Sequence, residues 1–190
     1  DIGNYYPLTQ GNTWRFQETK SKTGQQPVNF FNSARGSGTK AVGGLTATIF
    51  AETNPDGLGQ GTEDYLIKDS RGITNHGNND ATDPLNPQLI PYRTLRFPLQ
   101  AGATFESVNK KGLNFGDLDG DGKNEIGDFL AQVTVAAFES VTVPVGTFAN
   151  SAKIETKITS TVTASSNGTK VTVTETLTEW LAPGVGTVKR

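Results

Sequence analysis

The stretch Ile154-Glu-Thr-Lys-Ile158-Thr-Ser160-Thr-Val162-Thr-Ala164-Ser-Ser-Asn167-Gly168-Thr-Lys-Val171-Thr-Val173-Thr-Glu175-Thr-Leu177-Thr-Glu179-Trp-Leu181 alternates apolar and polar residues on both sides of an Asn-Gly pair. A period of two marks a half-buried strand. Asn-Gly favours a two-residue type I′ turn, whose central positions both need positive φ. Such a turn sets Ala164 against Val171, Val162 against Val173, Ile158 against Leu177 and Ile154 against Leu181. These four apolar pairs share one face, and the threonines fill the other. Ser160/Glu175 and Thr156/Glu179 interrupt the apolar face, which marks either a wet rim or a partly polar interior. A slip of one residue would move every apolar side chain to the wrong side. The reading is a long antiparallel hairpin.

Shorter segments of similar character lie at Thr13–Thr19, Leu45–Glu52, Asp64–Lys68, Thr104–Asn109, Phe129–Phe138 and Val141–Val143. The chain has 22 glycines and 9 prolines, and no long apolar stretch with a period of 3.6. Turn-rich strands of this kind indicate an all-β domain spanning residues 1–190. About ten strands suggest one strongly curved antiparallel sheet, closed into a barrel or half-barrel. A two-sheet β-sandwich is the alternative.

An internal repeat supports two similar halves, about 5–74 and 96–190. Tyr6-Pro7-Leu8-Thr-Gln-Gly11-Asn-Thr13-Trp14 recurs as Phe97-Pro98-Leu99-Gln-Ala-Gly102-Ala-Thr104-Phe105, at an offset of 91. Val42-Gly43 with Glu52-Thr53 is echoed by Val145-Gly146 with Glu155-Thr156, at 103. Asp64-Tyr65-Leu66 is echoed by Glu179-Trp180-Leu181, at 115. The segment between the halves, residues 75–95, is rich in Asn, Asp, Gly and Pro and reads as a surface loop.

The first step in offset equals the length of one acidic segment, Asp117-Leu-Asp119-Gly-Asp121-Gly122-Lys123-Asn-Glu125-Ile-Gly-Asp128. Its carboxylates fall at positions 1, 3, 5, 9 and 12, with glycine at position 6. Calcium takes six to eight oxygens at about 2.3–2.6 Å, and a short loop supplies them from alternate residues. The expected ligands are Asp117, Asp119, Asp121, the backbone carbonyl of Lys123, Glu125 and Asp128. The flanking segments do not read as helices, so the pattern is that of a Ca2+ loop outside an EF-hand.

Other chemistry is sparse. The chain lacks cysteine, which excludes disulfides and thiolate sites. A net charge of −2 and a pI near 5.4 argue against a nucleic-acid surface. No apolar run is long enough for a transmembrane helix. His76, the only histidine, sits in Gly/Asn-rich sequence and is expected to be exposed rather than catalytic. Tyr5, Tyr6, Trp14, Phe16, Phe97, Phe105 and Trp180 read as core rather than as the wall of an apolar-ligand or glycan pocket. Carboxylate pairs for glycoside hydrolysis are defined only by the fold.

Three motifs carry a resemblance: Tyr6-Pro-Leu-x-x-Gly-Asn-Thr-Trp14, Val143-Pro-Val-Gly-Thr-Phe148, and Glu179-Trp-Leu-Ala-Pro-Gly-Val-Gly-x-Val-Lys189. They resemble bacterial exported domains of unknown function, many of them lipoproteins. The resemblance implies an extracytoplasmic β-rich module in the periplasm, outer-membrane-anchored or secreted, with a lipid anchor possible upstream. It implies no catalytic residues. The absence of methionine fits a processed chain. The expected function is a non-catalytic, calcium-stabilised module for binding or surface assembly, with an unknown protein or a small apolar ligand as partner. A lipid carrier with a hollow barrel is the alternative, and a hydrolase the third reading.

Overall fold

The computed structural model describes residues 4–20, 26–53 and 61–190. Among these residues, eleven strands and one short helix follow in order: β1 Thr13–Lys20, β2 Val28–Val42, β3 Leu45–Glu52, β4 Thr62–Asp69, β5 Gly72–Asn78, α1 Asn86–Leu89, β6 Tyr92–Arg96, β7 Thr104–Asn114, β8 Ile126–Val143, β9 Gly146–Thr163, β10 Lys170–Ala182 and β11 Gly186–Lys189. Every sheet neighbour is also a sequence neighbour, and every pairing is antiparallel. β1 to β6 form a strongly curled half-barrel, and β7 to β11 a second sheet. The expected all-β antiparallel class holds. No helix among the described residues is long and apolar enough to cross a membrane.

The two sheets bury one core between them. Leu66, Ile73 and Leu95 of the first meet Phe105, Val133, Val135, Ala152, Ile154 and Leu181 of the second. Tyr6, Leu8, Phe97 and Leu99, all from the two Pro-Leu motifs, pack against this cluster. Trp14 and Phe105 stand near the starts of β1 and β7. Tyr65 and Trp180 lie on β4 and β10, each with a lysine ammonium over its ring, Lys40 in one case and Lys189 in the other.

The central hairpin forms, but in a different register. Val171 pairs with Val162, Val173 with Ser160, Glu175 with Ile158, and Glu179 with Ile154. Each partner is displaced by two residues, so the faces survive while the opposing pairs change. The turn is longer than two residues. Ala164 N–H donates to Thr169 O at 2.8 Å, and Gly168 N–H donates to Ala164 O at 2.9 Å, leaving Ser165–Gly168 as the loop. Gly168 takes a φ of 72°, and Asn167 instead accepts from Thr169 N–H through its side chain at 2.8 Å.

Several segments differ from their sequence reading. Phe129–Phe138 and Val141–Val143 belong to one strand, β8, which carries bulges near Val135 and Glu139. β2 is absent from the strands expected from the sequence; Gly36 and Gly38 form a bulge within it. A Cβ on Gly36 would lie 2.7 Å from Thr9 O, so glycine there admits the segment that enters β1. Residues 75–95 are not a plain loop: they contain the end of β5, helix α1 and most of β6. His76 lies half-buried on β5.

The outer half of β10 is exposed, with Val171, Val173 and Leu177 each at least half accessible, whereas Leu181 is fully buried. Leu181→Ala is therefore expected to cost about 2–5 kcal/mol in urea unfolding. Leu177→Ala should change stability by about 0.5 kcal/mol or less. Equal losses would contradict this division of the hairpin.

Candidate metal centre

The acidic segment forms the tip between β7 and β8. Phe115 N–H donates to Glu125 O at 2.9 Å, and Glu125 N–H donates to Gly116 O at 2.8 Å, so the hairpin ladder continues to the base of the loop. Beyond it the chain turns through Gly120 and Gly122, at φ 77° and 84°. The carboxylates organise the turn. Asp117 accepts from the N–H groups of Gly120 (2.7 Å) and Gly122 (2.9 Å). Asp119 accepts from Asp121 N–H at 3.3 Å, and Asp121 from Lys123 N–H at 2.9 Å.

Asp117, Asp119, Asp121 and Glu125 each place an oxygen within 4.8 Å of the others. Oxygens about 2.4 Å from one calcium ion can stand at most ~4.8 Å apart, so this spread suits a single coordination sphere. The first three side chains are exposed, and Glu125 is only 1% accessible. Glu125 accepts from Leu118 N–H and from Ser165 N–H, the latter at 3.2 Å. Each carboxylate oxygen offers more than one acceptor site, so these bonds leave capacity for a cation.

Asp128 stands apart from this group. It lies on β8, and its carboxylate accepts from Gly112 N–H at 3.1 Å. Strand alternation explains this, since by Asp128 the chain has re-entered the ladder and the side chain follows the sheet. Lys123 contributes its N–H to Asp121, as described above.

Two ligand-adjacent residues have no counterpart in the sequence reading. Ser165 Oγ donates to Asp121 at 2.8 Å, and Ser166 Oγ donates to Asp119 at 2.6 Å. They come from the β9–β10 tip, which the sheet brings beside the β7–β8 tip. The signal was the Ser-Ser pair before Asn167-Gly168, hidden by the assumption of a two-residue turn.

These bonds set the acid–base behaviour. The Ser166 hydroxyl holds the Asp119 carboxyl below the usual range, and the Leu118 N–H does the same for Glu125. A carboxyl lowered in the folded state contributes stability above its unfolded value, near ~3.9 for Asp and ~4.3 for Glu. That contribution is lost as the pH falls through the lower folded value. In calcium-free buffer, Ser166→Ala is expected to raise the Asp119 titration midpoint, measured by carboxyl-carbon NMR. A midpoint that stays or falls would contradict the role of the hydroxyl.

A second gathering of carboxylates lies where the half-barrel meets β10 and β11. Glu52, Asp64 and Glu179 line a cavity of about 130 Å³ together with Tyr6, Trp14, Phe16, Phe50 and Arg190. Of the aromatics read as core, Tyr5 and Phe105 are buried, while Tyr6, Trp14 and Phe16 face this cavity. The Trp180 indole lies outside it and donates to Glu139 at 2.5 Å.

A family profile described as DUF3108-like matches residues 105–190. Over this stretch the chain is similar to an uncharacterised domain family. The match covers the second sheet with both of its tips, and leaves the half-barrel outside. No curated protein and no solved structure matches the chain.

Proposed function

We propose that this protein is a non-catalytic, calcium-stabilised β module that acts outside the cytoplasm in binding or surface assembly. The observation that carries the reading is the convergence of four carboxylate oxygens on a glycine-shaped loop with a net charge of −3, counting Lys123 against the four acids. Mutual repulsion of these groups is offset by a divalent cation. The Lys123 carbonyl completes the proposed ligand set, and Asp128 stays with the strand. Extracellular calcium, being plentiful, keeps such a loop loaded, which favours an exported location; the similarity to an uncharacterised family is compatible with it.

The site staples two hairpin tips and acts as a clamp rather than a sensor. No flanking helix pair is present among the described residues to swing open on binding. An apolar carrier is less well supported, because the space between the sheets is filled by Leu66, Ile73, Leu95, Phe105 and Ile154. The small cavity beside this core is walled by carboxylates and aromatic rings together. Those carboxylates are the one observation favouring a hydrolase. At about 130 Å³, however, the cavity is below the ~300 Å³ lower end of ordinary small-molecule sites.

A ligand bound only by the folded state, at a hundredfold excess over Kd, stabilises it by about 2.7 kcal/mol. For a chain of this size that corresponds to roughly 5–10 °C in Tm. Chelation should lower the Tm by this amount, and Asp119→Ala should remove the response to calcium. A melting curve unchanged by chelator would refute the calcium reading. Lipid recovered by mass spectrometry after gentle purification would favour the carrier.

A further inference from the structure

The two outer strands of the second sheet differ in what lies beside them. Next to β7, Gln88 of α1 takes the place of a strand partner. Its Nε2 donates to Asn114 O at 2.8 Å, and its Oε1 accepts from Asn114 N–H at 3.0 Å. On the other side, β11 pairs with β10 only over Trp180–Ala182. From Lys170 to Glu179 the outer side of β10 has no strand beside it among the described residues. Every residue from Lys170 to Leu177 is exposed, on both faces of the strand.

The β9–β10 ladder decides which backbone groups point out of this edge. Ala164 N–H donates to Thr169 O, so the odd-numbered residues of β10 exchange their backbone hydrogen bonds with β9. The even-numbered residues turn theirs the other way, as Ala182 does where its carbonyl accepts from Val185 N–H at 3.1 Å. Thr172, Thr174, Thr176 and Thr178 therefore present a row of outward N–H and C=O groups. Such a row is ready to pair with a further strand.

We propose that the strand it pairs with is β10 of a second copy of this chain, antiparallel about a two-fold axis at Thr174. A symmetric ladder sets outward-facing residues opposite one another, so its axis passes through a residue of β10 rather than between two. Thr174 and Glu175 are the two residues at the middle of the open edge. An axis at Glu175 would bring the two Glu175 side chains face to face at a Cα spacing of about 4.5 Å, which is unfavourable. An axis at Thr174 sets Thr172 against Thr176, Val171 against Leu177 and Val173 against Glu175, with no like charges opposed. Cross-strand threonine contacts of this kind already join β9 to β10, at 3.0 Å for Thr161 and Thr172 and 3.4 Å for Thr159 and Thr174. The pairing runs from Lys170 to Thr178 and stops short of Trp180, where β11 begins. It also gives neighbours to Val171, Val173 and Leu177, which are 53%, 60% and 50% accessible in the single chain. Because each copy uses the same edge, the assembly closes as a dimer.

Sedimentation equilibrium of the whole chain, from about 10 µM to about 1 mM with calcium in excess, is expected to show a dimer that dissociates on dilution. Thr174→Pro removes an outward N–H from each copy and leaves the bonds to β9 in place. It should weaken the dimer by about tenfold or more. Val173→Lys sets a lysine opposite Glu175 in both copies and should tighten the dimer by about twofold or more. Leu177→Lys makes the same change of charge but faces Val171, and should not tighten it. Both lysine variants alter exposed side chains, so they read the register even where the proline variant fails to fold. A chain that stays monomeric at every concentration leaves the edge to a different partner and overturns the proposal. So does a dimer that Thr174→Pro leaves unchanged, or one that Val173→Lys weakens. The calcium reading is tested separately by the melting curves, since the pairing rests on β10 and not on the acidic loop.

Discussion

The structure depends on a contact between its first and last motifs. The Trp14 indole donates to Val185 O across 171 residues, and Gly184 N–H donates to Asn4 O at 3.2 Å. Gly186 lies directly under the indole: a Cβ there would stand 3.3 Å from Trp14 Cζ2 and 3.2 Å from Pro7 Cδ. At φ 92°, the position also suits glycine on backbone grounds. This clasp brings β11 against β1, the edge strand of the half-barrel. It therefore fixes how the second sheet lies across the first. Arg190 extends the same contact by bridging from the end of the chain to Glu18 on β1 and Glu52 on β3.

With the sheets so placed, the second sheet projects beyond the core. β8 and β9 have eighteen residues each, about 60 Å at ~3.4 Å per residue, and the shared core occupies only the middle of that length. The distal end has little apolar burial, with Val171, Val173 and Leu177 open to solvent. Stability at that end has to come from polar contacts between the two tips, through Ser165, Ser166 and the acidic loop. A cation there would act where the hydrophobic contribution is weakest, which gives the loop a physical reason to sit at this position.

The sequence made the faces legible but not the register. Alternation decides which residues share a side, and the hairpin keeps that assignment under a shift of two. The shift itself is set by the turn, where Ser165 and Ser166 remain in the loop to donate to Asp121 and Asp119. That requirement comes from a segment forty residues away and leaves no local trace. Glu179 shows the consequence. It interrupted the apolar pattern because it belongs to a polar interior, and the corrected pairing places it beside Ile154. β2 was hidden by the glycines that permit its bulge, and β6 by the prolines on either side of it. The acidic loop was read from spacing alone, and four of its five carboxylates converge; Asp128 follows the strand.

The two carboxylate groups act on the folded state in opposite directions. Asp119 and Glu125 are lowered by N–H and O–H donors, so acidification removes their contribution. Asp64 and Glu179 are raised by burial, so their contribution is present below the ordinary carboxylate range and is lost as the pH rises through the folded values. The exposed loop gains from ionisation, whereas burial disfavours the charged forms of Asp64 and Glu179. Replacing such buried polar groups with apolar residues commonly stabilises a fold. Their presence beside an otherwise apolar core is thus hard to derive from stability alone.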